Sequence, residues 1–270
     1  MNKFSLFLLL LSTAFGTAQN AETYFENIRN NEAQLTAFFS QMPKGGDLHH
    51  HYSGSVYAEP LIAYAIKNNF YLNLETLEVQ PQRGTDGIWE SFEMIQKNGA
   101  LPLYQQKIIE KWSIKDFNGI SYPSDKQFFE SFGKFEATIK GTFEQGLLEL
   151  KNRAIKEQVS YIETQLSTIP CDMNTEDLTP YNEELRSLVA KKDEKAVFKA
   201  LDQLFATFNK REAAKYAANF NTNFVAKMHN DLKIDDAQFT MRYQNFVLRF
   251  MEPVDLFKNL VIAFISADNS

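Results

Sequence analysis

A chain of 270 residues, 44% apolar and 23% charged, is long enough for one large domain or two small ones. Its 24 Phe and 11 Tyr argue against disorder over most of its length. A formal net charge of -6, with both signs interleaved and no basic block, argues against nucleic acid or an anionic membrane surface as a partner.

Residues 1–18 read as an export signal. Lys3 gives a short positive start, residues 4–11 are apolar except Ser5, and Gly16-Thr17-Ala18 is a small-residue cleavage site. The apolar run is shorter than the roughly 20 residues that span a bilayer. The expectation is a soluble, exported protein, periplasmic or extracellular, that starts near Gln19 and is free of the membrane after cleavage. Cys171 is the only cysteine, so export brings no intrachain disulfide.

Residues 22–41 carry Tyr24, Phe25, Ile28, Leu35, Phe38 and Phe39 at helical spacings, and Pro43 stops the pattern. Residues 45–51 predict a short strand running into a loop at Ser53-Gly54. Residues 56–68 predict a helix with Leu61, Ile62, Ala65 and Ile66 on one side and Pro60 in its first turn. Between residues 70 and 125 the periodicity is weak, with short helices around 89–95 and 104–112. A strong helical pattern returns over 126–157 through Phe128, Phe129, Phe132, Phe135, Ile139, Leu147, Leu148 and Ile155. Residues 159–166, rich in β-branched and aromatic side chains, are the clearest strand. Residues 179–230 are mostly helical, 239–250 are a strand candidate, and 253–267 are a last helix with Leu256, Leu260, Val261 and Phe264 spaced for burial. Strands alternating with helices imply parallel strands joined by helical crossovers. A closed barrel needs eight such units, and three occupy this chain.

Three of the four histidines are consecutive, at His49-His50-His51, and the fourth is His229. Side chains two apart on a strand share a face. His49 and His51 therefore point one way as a pair of nitrogen ligands for zinc or a similar ion, and His50 points to the covering helices. Asp47 is expected on the ligand face one step deeper, where it would order the pair. His229 sits in a polar stretch and reads as a solvated helix end. Two histidines do not complete a catalytic zinc site, which usually has three protein ligands and a water.

The segment Met42-Pro43-Lys44-Gly45-Gly46-Asp47-Leu48-His49-His50-His51-Tyr52-Ser53-Gly54-Ser55 resembles the opening motif of the adenosine deaminase family, Pro-Lys-x-(Glu/Asp)-Leu-His-x-His-x-x-Gly. Pro43, Lys44, Asp47, Leu48, His49, His51 and Gly54 fit it. The export signal and the helical residues before the motif resemble the secreted, growth-factor-type branch. Phe128 to Phe135 resembles the family's Phe-x-x-x-Phe segment, Tyr161-Ile162-Glu163 its second strand, and Phe246-Val247-Leu248-Arg249 the end of its third.

The resemblance implies an α/β fold made of the N-terminal portion of a TIM barrel, about three of eight βα units. It divides the chain into a signal (1–18), a helical extension (19–42) and an incomplete barrel domain (43–270). It implies a zinc hydrolase that converts adenosine to inosine and ammonia, with Zn2+ on His49 and His51 and the purine nucleoside beside His51 and Ser53. Ser53 stands where the family commonly has an Asp, and Gln165 where it has an Arg. The family's third zinc histidine, its acid and its catalytic histidine belong to later strands, beyond Ser270, so the catalytic residues are unknown here and the chain alone is expected to be inactive or nearly so. A missing C-terminal half or a homodimer would cover the open strand edges. Two other readings stay open: a different metal-dependent amidohydrolase, and a non-catalytic exported binding protein or remnant.

Overall fold

The computed structural model describes residues 21–120, 122–169 and 177–268. The signal of residues 1–18 and Cys171 lie outside these residues.

The chain opens with two short helices where the periodicity predicts one. The described part of α1 covers residues 21–28, and α2 is Glu32–Gln41. Asn31 breaks them apart because its side chain accepts the Gln34 N–H and caps α2. Tyr24, Phe25, Phe38 and Phe39 meet as a cluster of rings. Only Ile28 of the expected stripe is fully buried.

β1 (Gly45–His51) runs into α3 (Tyr52–Ser55), a single helical turn in place of the expected loop, and then α4 (Ala58–Lys67). Leu61, Ile62 and Ala65 of α4 are buried as their spacing predicts. Next comes a feature with no sequence signal. β2 (Tyr71–Asn73), β3 (Val79–Gln80) and β4 (Trp89–Ser91) form a small antiparallel sheet. Strands of two or three residues are too short to show a period of two. The helix expected around 89–95 starts only after β4, as α5 (Phe92–Lys97), and the one expected around 104–112 is α6 (Leu101–Trp112).

The long aromatic helix is divided into α7 (Ser124–Ile139) and α8 (Phe143–Lys156) by a tight turn over Lys140–Thr142. The Tyr64 ring occupies the space that a side chain at Gly141 would need, so the break is also a packing point. β5 (Val159–Gln165) comes next, then α9 (Thr179–Ala190), α10 (Glu194–Thr207), α11 (Lys210–Asn219), a π-helical segment (Phe220–Ala226) and α12 (Lys227–Asp231). β6 is only Thr240–Gln244, so Phe246 to Arg249 lie past the strand rather than at its end. The chain continues into α13 (Pro253–Asp268).

β1, β5 and β6 form one parallel sheet in the order β1-β5-β6, as alternating strands and helices predict. The protein is an α/β fold. Two apolar cores support it. One lies between the sheet and α4, α6, α7 and α8, and contains Tyr52, Leu61, Ile108, Leu147, Ile162 and Met241. The other joins α9, α10, α11 and α13 through Leu185, Leu204, Ala213 and Val261. In α13 the buried residues are Val254, Val261, Ile262 and Ser266, while Leu260 and Phe264 face outward, against the expected stripe. The helix packs on α9 and α11 rather than on the sheet, which turns a different side inward.

Candidate functional site

The site begins with a flaw in the pairing of β1. Asp47 stands opposite Ile162 and His50 opposite Thr164, so three steps on β1 match two on β5. This is a β-bulge, which bends the strand and re-aims its side chains. Two backbone groups lose their ladder partners there. The His49 N–H donates to the Asp47 carboxylate at 3.1 Å, and the Leu48 carbonyl accepts from the Gln244 amide at 3.0 Å.

Beyond the bulge His49 and His51 share a face and turn their Nε2 atoms towards each other, 3.1 Å apart. Both rings are exposed. Without a metal, this distance is a hydrogen bond in which one ring carries the Nε2 proton. His50 faces the other way, as expected, with Nδ1 2.9 Å from the Thr164 hydroxyl, which is fully buried. Burial pushes the His50 imidazole below its ordinary 6.5, with Asp47 pulling the other way.

Asp47 is on the wrong face for the role expected of it. It lines a small recess with His50, Arg153 and Glu157, under α8. The extra residue of the bulge reverses the alternation between Asp47 and His49, so the carboxylate orders the His49 backbone instead of the imidazoles.

The face that carries His49 and His51 continues across the sheet as a row of polar side chains. Tyr161, Glu163 and Gln165 come from β5, and Thr240, Arg242 and Gln244 from β6. The Tyr161 hydroxyl donates to Glu163 at 2.8 Å and the Gln244 amide donates to it at 2.7 Å. These two donors, Gln244 first, hold the Glu163 carboxyl below its usual range.

Past His51 the chain enters a cavity of about 670 Å³ lined by Ser53, Gly54, Trp112, Phe128, Phe132 and Arg153, among others. This is a normal size for a small-molecule pocket. Arg153 fixes its rim, donating to the Ser55 carbonyl at 2.8 Å, pairing with Glu149 at 3.1 Å and stacking on Tyr57.

No family model and no curated protein matches this chain. Zinc–nitrogen bonds of about 2.0–2.1 Å at near-tetrahedral angles put two ligand nitrogens roughly 3.2–3.4 Å apart. The separation of His49 and His51 is within a few tenths of that, and neutral imidazole is an apt donor for zinc, so the pair fits the ion. Among the described residues, no three His, Cys, Asp or Glu side chains gather closely enough to make a ligand group.

His229 is on the opposite face of the sheet. It is not a solvated helix end: its Nδ1 is 3.2 Å from the Tyr243 hydroxyl and its Nε2 3.4 Å from Asp235. It borders a second cavity, of about 740 Å³, with Tyr243, Asn221 and Ser266. Ser53 lines the first cavity and His51 does not, and Gln244 and Arg153 carry no sequence signal. Their parts depend on a bulge and on a helix–turn contact, neither of which has a periodicity.

Proposed function

We propose that the chain carries the zinc-binding half of an adenosine-deaminase-type centre, on the first strands of a TIM-barrel-like sheet. The observation that carries this is the convergence of His49 and His51 at the carboxyl end of a parallel strand, on the exposed face of the sheet. Ligands of α/β folds bind at the carboxyl ends of the strands. Zinc bound there would lower the pKa of a coordinated water towards neutrality. His49 and His51 would hold the ion. By the resemblance, Ser53 would hydrogen-bond a hydroxyl of a purine nucleoside bound beside His51. An exported protein acting on adenosine outside the cytoplasm agrees with residues 1–18.

Two protein ligands are fewer than the three of a catalytic zinc site. The expected result on the purified mature chain is therefore bound zinc, lost in a His49→Ala, His51→Ala double variant, with little or no ammonia released from adenosine. Zinc content and ammonia are measured on the same folded sample. A folded sample that takes up no zinc would sink the proposal. Rapid ammonia release would show that other residues complete the site.

A further inference from the structure

We infer that Gln244 is a positioning residue: by holding the Leu48 carbonyl it fixes the bulge of β1 and with it the spacing of His49 and His51. This rests on reading the two histidines as metal ligands.

Gln244 lies on β6 and Leu48 on β1, with β5 between them. Its side chain crosses the middle strand to reach the carbonyl that the bulge leaves out of the ladder. Both atoms close to its amide nitrogen, the Leu48 carbonyl oxygen and Glu163 Oε2, are acceptors. The nitrogen must therefore be the NH2 group, with one proton for each. Glu163 is in turn held by Tyr161, so the amide has a fixed anchor. Asp47 secures the other free backbone group of the bulge, the His49 N–H. The two residues that the bulge displaces, Leu48 and His49, are thus each tied by one side chain from outside the ladder. Leu48 itself is 63% exposed, so packing of its side chain does little to hold the turn. Removing the amide frees a peptide whose rotation would swing His49 relative to His51. Groups that orient metal ligands typically change affinity by 10–100-fold when removed.

The test uses the mature chain, cobalt(II) as a coloured substitute for zinc, and two variants. Gln244→Ala removes the clamp. Thr240→Ala changes the same face of the same strand near its other end. The expected result is cobalt affinity at least tenfold weaker in Gln244→Ala, with an altered visible band and an unchanged far-ultraviolet dichroism spectrum, and no change in Thr240→Ala. Equal affinity in wild type and Gln244→Ala overturns the inference, and so does an equal loss in both variants. If the wild type binds no cobalt or zinc, the metal reading fails, and nitrogen chemical shifts of the two imidazoles in the metal-free protein decide the clamp. Shifts that move in Gln244→Ala but not in Thr240→Ala support it, and shifts that stay in place overturn it.

Discussion

His50 separates two histidines that face the open side of the sheet, yet it behaves as part of the core. Its ring is half-buried against Thr164, and burial lowers its pKa below 6.5. The folded state thus binds a proton less readily than the unfolded chain. Stability is fully present above about pH 6.5 and falls as the pH drops through that value towards the lower folded pKa. Urea unfolding at pH 8 and at pH 5.5 should show this loss in the wild type. A His50→Asn variant, which has no titrating ring, should show a smaller loss over the same interval. An equal loss in both would mean that other groups carry the pH dependence. The alternation His49-His50-His51 was legible in the sequence because a strand alternates whatever covers it. The side taken by Asp47 was not, because one extra residue reverses the parity and leaves no mark on composition.

At the scale of elements, the histidine strand is braced by the helix behind it. Tyr52, next to His51, is fully buried and donates to the Thr142 carbonyl at 2.8 Å. It fits because Gly146 on α8 has no side chain: a Cβ there would collide with the Tyr52 hydroxyl. Gly146→Ala should therefore cost about 1–3 kcal/mol by overpacking, read from denaturant unfolding, and should also weaken metal binding by displacing the residue after His51. A loss of stability with unchanged metal affinity would show that the strand does not follow Tyr52. The stripe of α4 was legible, with Leu61, Ile62 and Ala65 buried against α5, α6 and α7. In α13 the spacing and the packing differ: Phe264 is 73% exposed and the inward side is set by α9 and α11. Partners distant in sequence decide which of two apolar sides is covered, and spacing within one helix does not contain that information.

Across the whole molecule, one side of the parallel sheet is packed on helices and the other presents the polar row from His49 to Arg242. The α/β class and the parallel strands followed from the order of elements, but the division into two cores did not. It depends on α13 returning to α9 and α11 instead of covering β6. The π-helical segment joins the cores, with Phe220 packed in the helical one and Phe224 against the sheet one, their rings 5.1 Å apart. This arrangement separates stability from site geometry. Leu147 in the sheet core and Leu204 in the helical core are both fully buried, and each Leu→Ala change should cost about 2–5 kcal/mol. The two losses should add to within about 0.5 kcal/mol, because the residues belong to separate apolar clusters. Only Leu147→Ala should also weaken metal binding, since α8 supports β5 and the bulged strand beside it. Cobalt titration and urea unfolding of the two single variants and the double variant check both statements. Strong non-additivity, or equal damage to metal binding from Leu204→Ala, would mean that the two cores act as one.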